Sequence, residues 1–334
     1  MTAEAGLALV DRDDAGVDRA FRADVLAGLG QRQKAIPARW FYDERGSQLF
    51  EDITRLPEYY PTRAETEILR ARGPEFAAAI GAGRAVVEFG SGSSAKTPLL
   101  LRAIAPAAYV PIDISGDFLR AAADDLAADF PGLPVHPVEA DFSRLVELPA
   151  AVGALPKMGF FPGSTIGNMV PRTAVALLEA MRDTLGEGAE LLIGFDLIKD
   201  PAVLIAAYDD SAGVTAAFNL NLVARINREL GGTIPAEALA HEARWNDDLA
   251  RIEMHLAATR DIAFVVAGHA FTMHGGETIH TENSHKYDFR SAATLLLAGG
   301  WTPRSHWTDA GGAGGGAERF AVILADASEL RMAP

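Results

Sequence analysis

The chain has 334 residues, of which 49% are apolar and 22% charged, and these ordinary globular values exclude a wholly disordered protein. At roughly 150 residues per domain, this length predicts about two domains. The net charge of −15 argues against a nucleic-acid partner, because such binding draws on clustered Lys and Arg. The absence of cysteine excludes disulfides, thiolate metal sites and cysteine nucleophiles.

The amino-terminal residues 1–14 are more acidic than basic and lack the apolar run of a secretory signal. No stretch of the chain approaches 18 uninterrupted apolar residues, the length that a membrane-spanning helix needs. We therefore expect a cytoplasmic protein with no membrane partner, and we expect it to be a monomer.

The first part of the chain has the apolar spacing of helices. Apolar residues three and four positions apart predict helices over 21–29 and 46–56. A longer helix is predicted over 62–80. Thr62 and Glu65 at its start have the spacing of a capping box.

From residue 84 onwards, predicted strands alternate with predicted helices. The helices include residues 117–130 and 174–185. The strands are short apolar runs at residues 84–89, 108–112, 135–138, 159–161 and 190–195. This alternation predicts right-handed βαβ units, a parallel sheet and therefore an α/β fold.

The alternation stops between about 197 and 286, which we interpret as an inserted second lobe. A helical pattern over 200–230 and paired strands over 251–273 are predicted within it. The sheet then resumes with a helix over 291–298 and a pair of strands at 301–309 and 318–325. The glycines at 311–316 between that pair lack the Gly-Lys-Ser/Thr of a phosphate loop, so we interpret them as a flexible hairpin connection.

Three successive strand ends carry residues suited to a nucleoside. The segment 88–96 (EFGSGSSAK) follows the first strand, and its small residues allow a ligand close to the backbone and to the next helix start. Asp113 ends the second strand and can accept hydrogen bonds from ribose hydroxyls. Asp141 and Phe142 follow the third and offer a polar group and a ring to a purine. Each acidic residue alone is more often a helix cap or a turn residue, but together they predict an adenosine site.

The pattern of these strand ends resembles that of one class of enzyme. Glu-x-Gly-x-Gly, an acidic residue ending the second strand, and Asp-Phe after the third are similar to the class I S-adenosylmethionine-dependent methyltransferases. The sequence lacks the Tyr-x-x-x-Lys expected of a nicotinamide enzyme. The resemblance implies a Rossmann-like class I methyltransferase sheet with a terminal antiparallel hairpin, a second acceptor-binding lobe, and S-adenosyl-L-methionine as cofactor.

Longer motifs resemble a narrower family over about residues 20–325. They include WFYD at 40–43, ITRLPEYYPTR at 53–63, GSTIGN at 163–168 and TENSHKY at 281–287. These are similar to the L-histidine Nα-methyltransferases of ergothioneine biosynthesis. The resemblance implies successive methylation of the α-amine of L-histidine, through its Nα-methylated intermediates, to the trimethyl betaine hercynine.

The same resemblance assigns roles to individual residues. The methyl-donor site would be lined by Gly90, Lys96, Asp113, Asp141 and Phe142. The backbone end of histidine would be held by Tyr59, Gly163, Asn168 and Tyr208, the imidazole by Glu282 and Ser284, and the pocket closed by Tyr42 and Phe50. The catalytic candidates are Tyr42, Tyr59, Asn168 and Tyr208. The donor would be bound by residues 63–196 and 287–334, and the acceptor by residues 15–62 and 197–286.

Several alternatives remain open from the residues themselves. Asn168 suits either an amine or a carboxylate, but it is equally a turn-capping residue, and the tyrosines suit a core edge. Pro162 and the segment 283–285 depart from the family pattern. A methyltransferase for another small amine, or a non-catalytic sensor of histidine or a nucleoside, would share many of these motifs, although the intact donor and acceptor positions argue against the sensor.

A metal site is not predicted, although histidines are concentrated near the end of the inserted lobe. The spacing of this group matches no compact ligand motif, so we interpret it as surface or strand histidines. The group contains His269, His274, His280 and His285, with Glu277 and Glu282 among them.

Overall fold

The computed structural model describes residues 16–92, 96–114, 116–309 and 317–328. The chain divides into two compact units: unit 1 is Met1–Tyr60 with Lys199–His285, and unit 2 is Pro61–Ile198 with Lys286–Pro334. The glycine-rich connection at 311–316 lies outside the described residues. Among those described, no helix combines the length and apolar character that a membrane crossing requires.

The helices and strands are numbered in chain order. The helices are α1 (Arg19–Leu29), α2 (Glu44–Arg55), α3 (Tyr60–Ala71), α4 (Gly73–Ile80), α5 (Thr97–Ile104), α6 (Gly116–Asp129), α7 (Pro171–Leu185), α8 (Pro201–Tyr208), α9 (Val214–Leu230) and α10 (Phe289–Ala298). The strands are β1 (Lys34–Ala35), β2 (Ala85–Phe89), β3 (Ala108–Asp113), β4 (Val138–Glu139), β5 (Lys157–Phe161), β6 (Glu190–Asp196), β7 (Leu239–Asn246), β8 (Arg251–Ala258), β9 (Ile262–Val266), β10 (His269–Met273), β11 (Thr278–His285), β12 (Trp301–Thr308) and β13 (Phe320–Ala327).

Unit 2 contains one sheet, in which the described strands have the order β12-β13-β6-β5-β2-β3-β4. Strands β2 to β6 pair in parallel, whereas β13 is antiparallel to both of its neighbours. The predicted α/β fold with a terminal antiparallel pair is therefore confirmed. The strand order reverses between β2 and β5, and ligands of such sheets bind at the carboxyl ends of the strands near this switch point.

Strand β2 shows why this sheet has two covered faces. All five of its residues are buried, as expected of a parallel strand between helical layers. Val87 and Phe89 contribute to one apolar cluster and Val86 to another. Successive side chains of a strand point to opposite faces, so the apolar run fills two cores at once and holds the carboxyl edge of the sheet in place.

Unit 1 is built around a small sheet with the strand order β1-β11-β8-β7 and a separate β9–β10 hairpin. Its apolar cluster combines α1, α2 and α9 with the sheet, through residues such as Phe21, Ile53, Phe218 and Met254. The predicted pairing within 251–273 is confirmed for β9 with β10. Strand β8 pairs instead with β7 and β11.

The predicted helix over 62–80 is wrong in two respects. It consists of α3 and α4, which are separated at Arg72, and Pro74 occupies the first turn of α4, where its missing N–H costs nothing. The capping box is also wrong, because α3 begins at Tyr60 and Thr62 lies inside the helix. The carboxylate of Glu65 has other partners, described below.

Two further predictions are corrected. The helical stretch over 200–230 is interrupted between α8 and α9, where Asp210 caps α9 by accepting from the N–H groups of Val214 and Thr215 at 3.0 and 2.7 Å. The third strand, predicted over 135–138, is reduced to β4 and a single bridge between Tyr109 and Val135.

Candidate active site

The loop after β2 begins with two glycines in left-handed conformations. Gly90 has φ of 70° and Gly92 has φ of 47°, a region that side chains disfavour. A Cβ atom at Gly90 would lie 3.2 Å from Cζ of Phe142. Glycine at this position therefore lets the Phe142 ring lie directly against the loop backbone. The next loop residues, 93–95, lie outside the described part of the chain.

Asp113 and Phe142 meet this loop as the sequence predicts. The N–H of Gly92 donates to Oδ2 of Asp113 at the end of β3, at 3.2 Å. The Phe142 ring contacts Phe89 and Phe161 edge-on, with centroid separations of 6.2 and 6.1 Å. A glycine backbone, a carboxylate and an aromatic face thus converge at one sheet edge. This set fits the diol and the base of an adenosine group.

Glu88 supports the same loop from inside the protein. It is 2% exposed, and burial raises its pKa to about 7 in spite of two hydrogen bonds. It accepts from the hydroxyls of Thr97 and Tyr109, at 2.7 and 2.5 Å. Thr97 is the first residue of α5, so this buried network connects β2 and β3 to the start of the helix that follows the loop.

The 163–168 segment follows β5 and forms a tight turn at the same edge of the sheet. Gly163 and Ser164 have positive φ values of 82° and 56°, and a short 3₁₀ turn ends at Asn168. The Oγ of Ser164 accepts from the backbone N–H of Asp196 at 2.9 Å, which anchors the turn to the end of β6. The backbone N–H of Gly163 donates to Glu65, a residue that the sequence analysis did not place at the site.

In unit 1, the predicted acceptor residues form one aromatic cluster. Ring centroids lie 5.7 Å apart for Tyr42 and Phe50, 6.3 Å for Phe50 and Tyr59, and 6.2 Å for Tyr59 and Tyr208. The Phe218 ring joins the cluster 5.8 Å from Tyr42. No role was assigned to Phe218 in the sequence analysis.

Glu282 and Ser284 lie on one face of β11, because alternate residues of a strand share a face. The hydroxyl oxygens of Ser284 and Tyr208 are 2.6 Å apart. Burial and the negative charge of Glu282 raise the pKa of Tyr42 well above its ordinary value, although 42% of the Tyr42 surface is exposed. The Tyr42 phenol therefore stays neutral. It lies close enough to the Glu282 carboxylate and to the hydroxyls of Tyr59 and Tyr208 for their charges to act on it.

The opposite face of this sheet holds the one group of metal-ligating side chains found among the described residues, Glu253, His255 and His280. The two imidazole rings are stacked, and Glu253 accepts from Arg251 at 2.8 Å. Burial lowers the pKa of His255 to about 4, which keeps it neutral. The Glu253 carboxylate is thus already paired with a cation, and the absence of a metal site stays a prediction. His269, His274 and His285 are not in the group.

The sheet order and the strand-edge site fit the class of protein that the sequence resembles, the S-adenosylmethionine-dependent methyltransferases. Residues 21–325 match the profile of the family described as "Histidine-specific methyltransferase, SAM-dependent", and the chain belongs to this family. The predicted enzyme class and methyl donor are therefore confirmed.

Named relatives agree with this family. A histidine N-alpha-methyltransferase of Mycolicibacterium smegmatis is 42% identical over 88% of this chain and 92% of its own length. Ergothioneine biosynthesis protein 1 of Neurospora crassa is 32% identical over 84% of this chain, which spans 32% of that longer protein. Among solved structures, the CcbJ methyltransferase of Streptomyces caelestis aligns with a TM-score of 0.47 at 14% identity, covering 86% of this chain and all of that one.

Proposed function

We propose that this protein transfers methyl groups to the α-amino group of L-histidine, in successive steps that end at the trimethyl betaine, the first step of ergothioneine biosynthesis. The family and the two relatives described above support this substrate. The observation that carries the proposal is the joining of Tyr42, Tyr59, Tyr208, Glu282 and Ser284 in one cluster of unit 1.

Glu282 and Ser284 suit a neutral imidazole. A carboxylate only accepts hydrogen bonds, so Glu282 would take the ring N–H. A hydroxyl both accepts and donates, so Ser284 can accept from Tyr208 and donate to the bare ring nitrogen. Both ring nitrogens would then be occupied. The imidazole becomes the recognition group and the α-amine the nucleophile.

The aromatic cluster suits the amine end. When bound, S-adenosylmethionine supplies an electrophilic methyl group, and transfer needs the amine lone pair in line with it. Gly90, Asp113 and Phe142 would hold the nucleoside, while Asn168 and Tyr59 would hold the backbone end of the amino acid. The faces of aromatic rings attract cations, and this attraction favours a product that ends as a quaternary ammonium.

Incubation with labelled S-adenosylmethionine and each of the twenty amino acids tests the proposal. We expect label in histidine alone, turnover of Nα-methyl- and Nα,Nα-dimethylhistidine, and poor turnover of ring-methylated histidines. Mass spectrometry that places the methyl group on the imidazole would refute it. Label in another amino acid, or binding without turnover, would support the small-amine enzyme or the sensor instead.

A Glu282→Ala variant serves as the matched test of selectivity. Removing one hydrogen-bond partner leaves a polar ring nitrogen unpaired, so histidine should lose its advantage over other amino acids while donor binding persists. Unchanged preference for histidine would contradict the assigned role. We also propose that the enzyme acts as a cytoplasmic monomer. The cysteine-free composition suits a reducing compartment, and sedimentation tests the oligomeric state.

A further inference from the structure

Glu65 is a buried carboxylate that has no part in the chemistry proposed above. It lies on α3 between Ala64 and Ile68, which belong to the apolar core of unit 2, and it is 0% exposed. A charge removed from water is costly unless it is paired and hydrogen-bonded. The partners of this carboxylate therefore indicate what it is for.

Those partners come from two different loops. The backbone N–H of Gly163 donates to both carboxylate oxygens, at 2.9 and 3.1 Å. The ammonium group of Lys96 forms an ion pair with Oε2 of the same carboxylate. Gly163 follows β5 and Lys96 precedes α5, so the two partners lie in the loops after neighbouring strands. Glu65 connects these loops at the switch point of the sheet.

The contacts of Glu65 orient one peptide group and one side chain. In the peptide unit between Pro162 and Gly163, the N–H donates to Glu65, and the carbonyl accepts from the Thr165 hydroxyl at 3.0 Å. This peptide plane is therefore fixed on both sides. Lys96 has three N–H donors, so bonding to Glu65 leaves it able to donate to a ligand carboxylate as well.

The strand beneath the carboxylate is shaped to receive it. A Cβ atom at Gly194 on β6 would overlap Oε1 of Glu65 and would lie 2.9 Å from Cζ of Phe320. Gly194 has no positive φ value, so backbone conformation does not require glycine there. The space left by the missing side chain is occupied by the Glu65 carboxylate and the Phe320 ring.

We propose that Glu65 is a positioning residue, which holds Lys96 towards the carboxylate of the methyl donor and fixes the Gly163 turn against the amino-acid substrate. The second half of this proposal rests on the proposed function, whereas the donor half rests on the family resemblance that assigns Lys96 to the donor site. Glu65 thus acts on both ligand sites through its contacts with Lys96 and Gly163.

Glu65→Gln is the direct test, because glutamine keeps the shape of the glutamate side chain and an oxygen that accepts from the Gly163 N–H. It presents either an N–H group or an uncharged oxygen to Lys96, so the ion pair is lost. We expect S-adenosylhomocysteine to bind about 10-fold more weakly by calorimetry, because Lys96 keeps its charge but loses the charged partner that orients it. The KM for histidine should rise at saturating donor. The control is Glu67→Gln, which removes an equal charge from the same helix and should leave the dissociation constant and KM unchanged.

Gly194→Ala provides a second route, since it displaces the carboxylate without removing its charge. It should weaken donor binding in the parent protein but add little in a Lys96→Met background, which a merely structural defect would not reproduce. A folded Glu65→Gln protein with the constants of the control would overturn the proposal, as would full additivity of the Gly194 and Lys96 changes. If Glu65→Gln does not fold, the comparison of Gly194→Ala in the parent protein and in the Lys96→Met background still tests the proposal. Failure of the parent to methylate histidine would count against the proposed function only, because donor binding is measured without turnover.

Discussion

Replacing Asp113 by alanine should separate donor binding from the rest of the protein. Asp113 is the last residue of β3, a strand that is otherwise buried, and its carboxylate accepts from the N–H of Gly92. The substitution removes the hydrogen-bond acceptor proposed for the ribose hydroxyls. It also removes the hydrogen bond that connects β3 to the loop after β2. The strand itself keeps its apolar residues and its ladder partners.

The size of the effect follows from these two losses. A hydrogen bond to a charged group contributes about 1.5–3 kcal/mol, so its loss should raise the dissociation constant of the donor roughly 10- to 150-fold. Asp113→Asn should lose less than Asp113→Ala, because its amide oxygen still accepts one hydrogen bond. Titration calorimetry with S-adenosylhomocysteine measures the dissociation constant directly.

The control is Glu139→Ala, at the end of the adjacent strand β4 and paired in register with Asp113. Its carboxylate is 39% exposed and pairs with Arg120 at 3.2 Å, an arrangement that contributes about 0–1 kcal/mol at a surface. Donor affinity should therefore hardly change. A folded Asp113→Ala protein that binds the donor as tightly as the Glu139→Ala control would refute the assignment of Asp113 to the ribose.

Three further predictions concern other buried polar groups. Ser284→Ala removes the partner of the Tyr208 hydroxyl, and we expect the KM for histidine to rise about fivefold, from a loss of about 1 kcal/mol, with donor affinity unchanged by calorimetry. The pKa of Glu88 is raised from 4.5 to about 7, so the folded state keeps a proton that the unfolded state loses between these pH values. The free energy of unfolding should therefore fall by roughly 3 kcal/mol as pH rises from 4.5 through 7, and Glu88→Gln should remove this fall in denaturant titrations. His255 has its pKa lowered from 6.5 to about 4, so stability is lost as pH falls across this window; His255→Gln should flatten that decline, also roughly 3 kcal/mol.

The donor half of the fold could be predicted because its signals are local. The central strands of unit 2 are short apolar runs that are buried on both faces, and the strand ends fix the position of the polar residues that follow them. Asp113 and Phe142 were placed at one edge by this reasoning alone, and both lie there in contact with the glycine loop. The predicted length of strand β4 is too great, because β4 pairs with β3 over only two residues at the edge of the sheet.

The remaining features depend on contacts between distant parts of the chain. Thr62 and Glu65 have the spacing of a capping box, but the carboxylate bonds to Gly163, 98 positions away, and no local pattern encodes that partner. The acceptor residues of unit 1 come from the segment before α2, from α8 and from β11, so only family resemblance predicts that Tyr42, Tyr208 and Ser284 lie together. Strand β7 was not predicted, since its residues are mostly half-buried and mixed in polarity.

The acceptor cluster also bears on how the substrate amine loses its proton. Burial and the charge of Glu282 raise the pKa of Tyr42, so its phenolate is not available as a base near neutral pH. The Tyr208 hydroxyl is bonded to Ser284, and in the proposed complex Glu282 accepts from the imidazole. These groups act as neutral or already paired hydrogen-bond partners. We infer that the amine gives its proton to water before it reacts. The unit 1 side chains would then orient the amine lone pair and, through their aromatic faces, stabilise the cation as methyl groups are added.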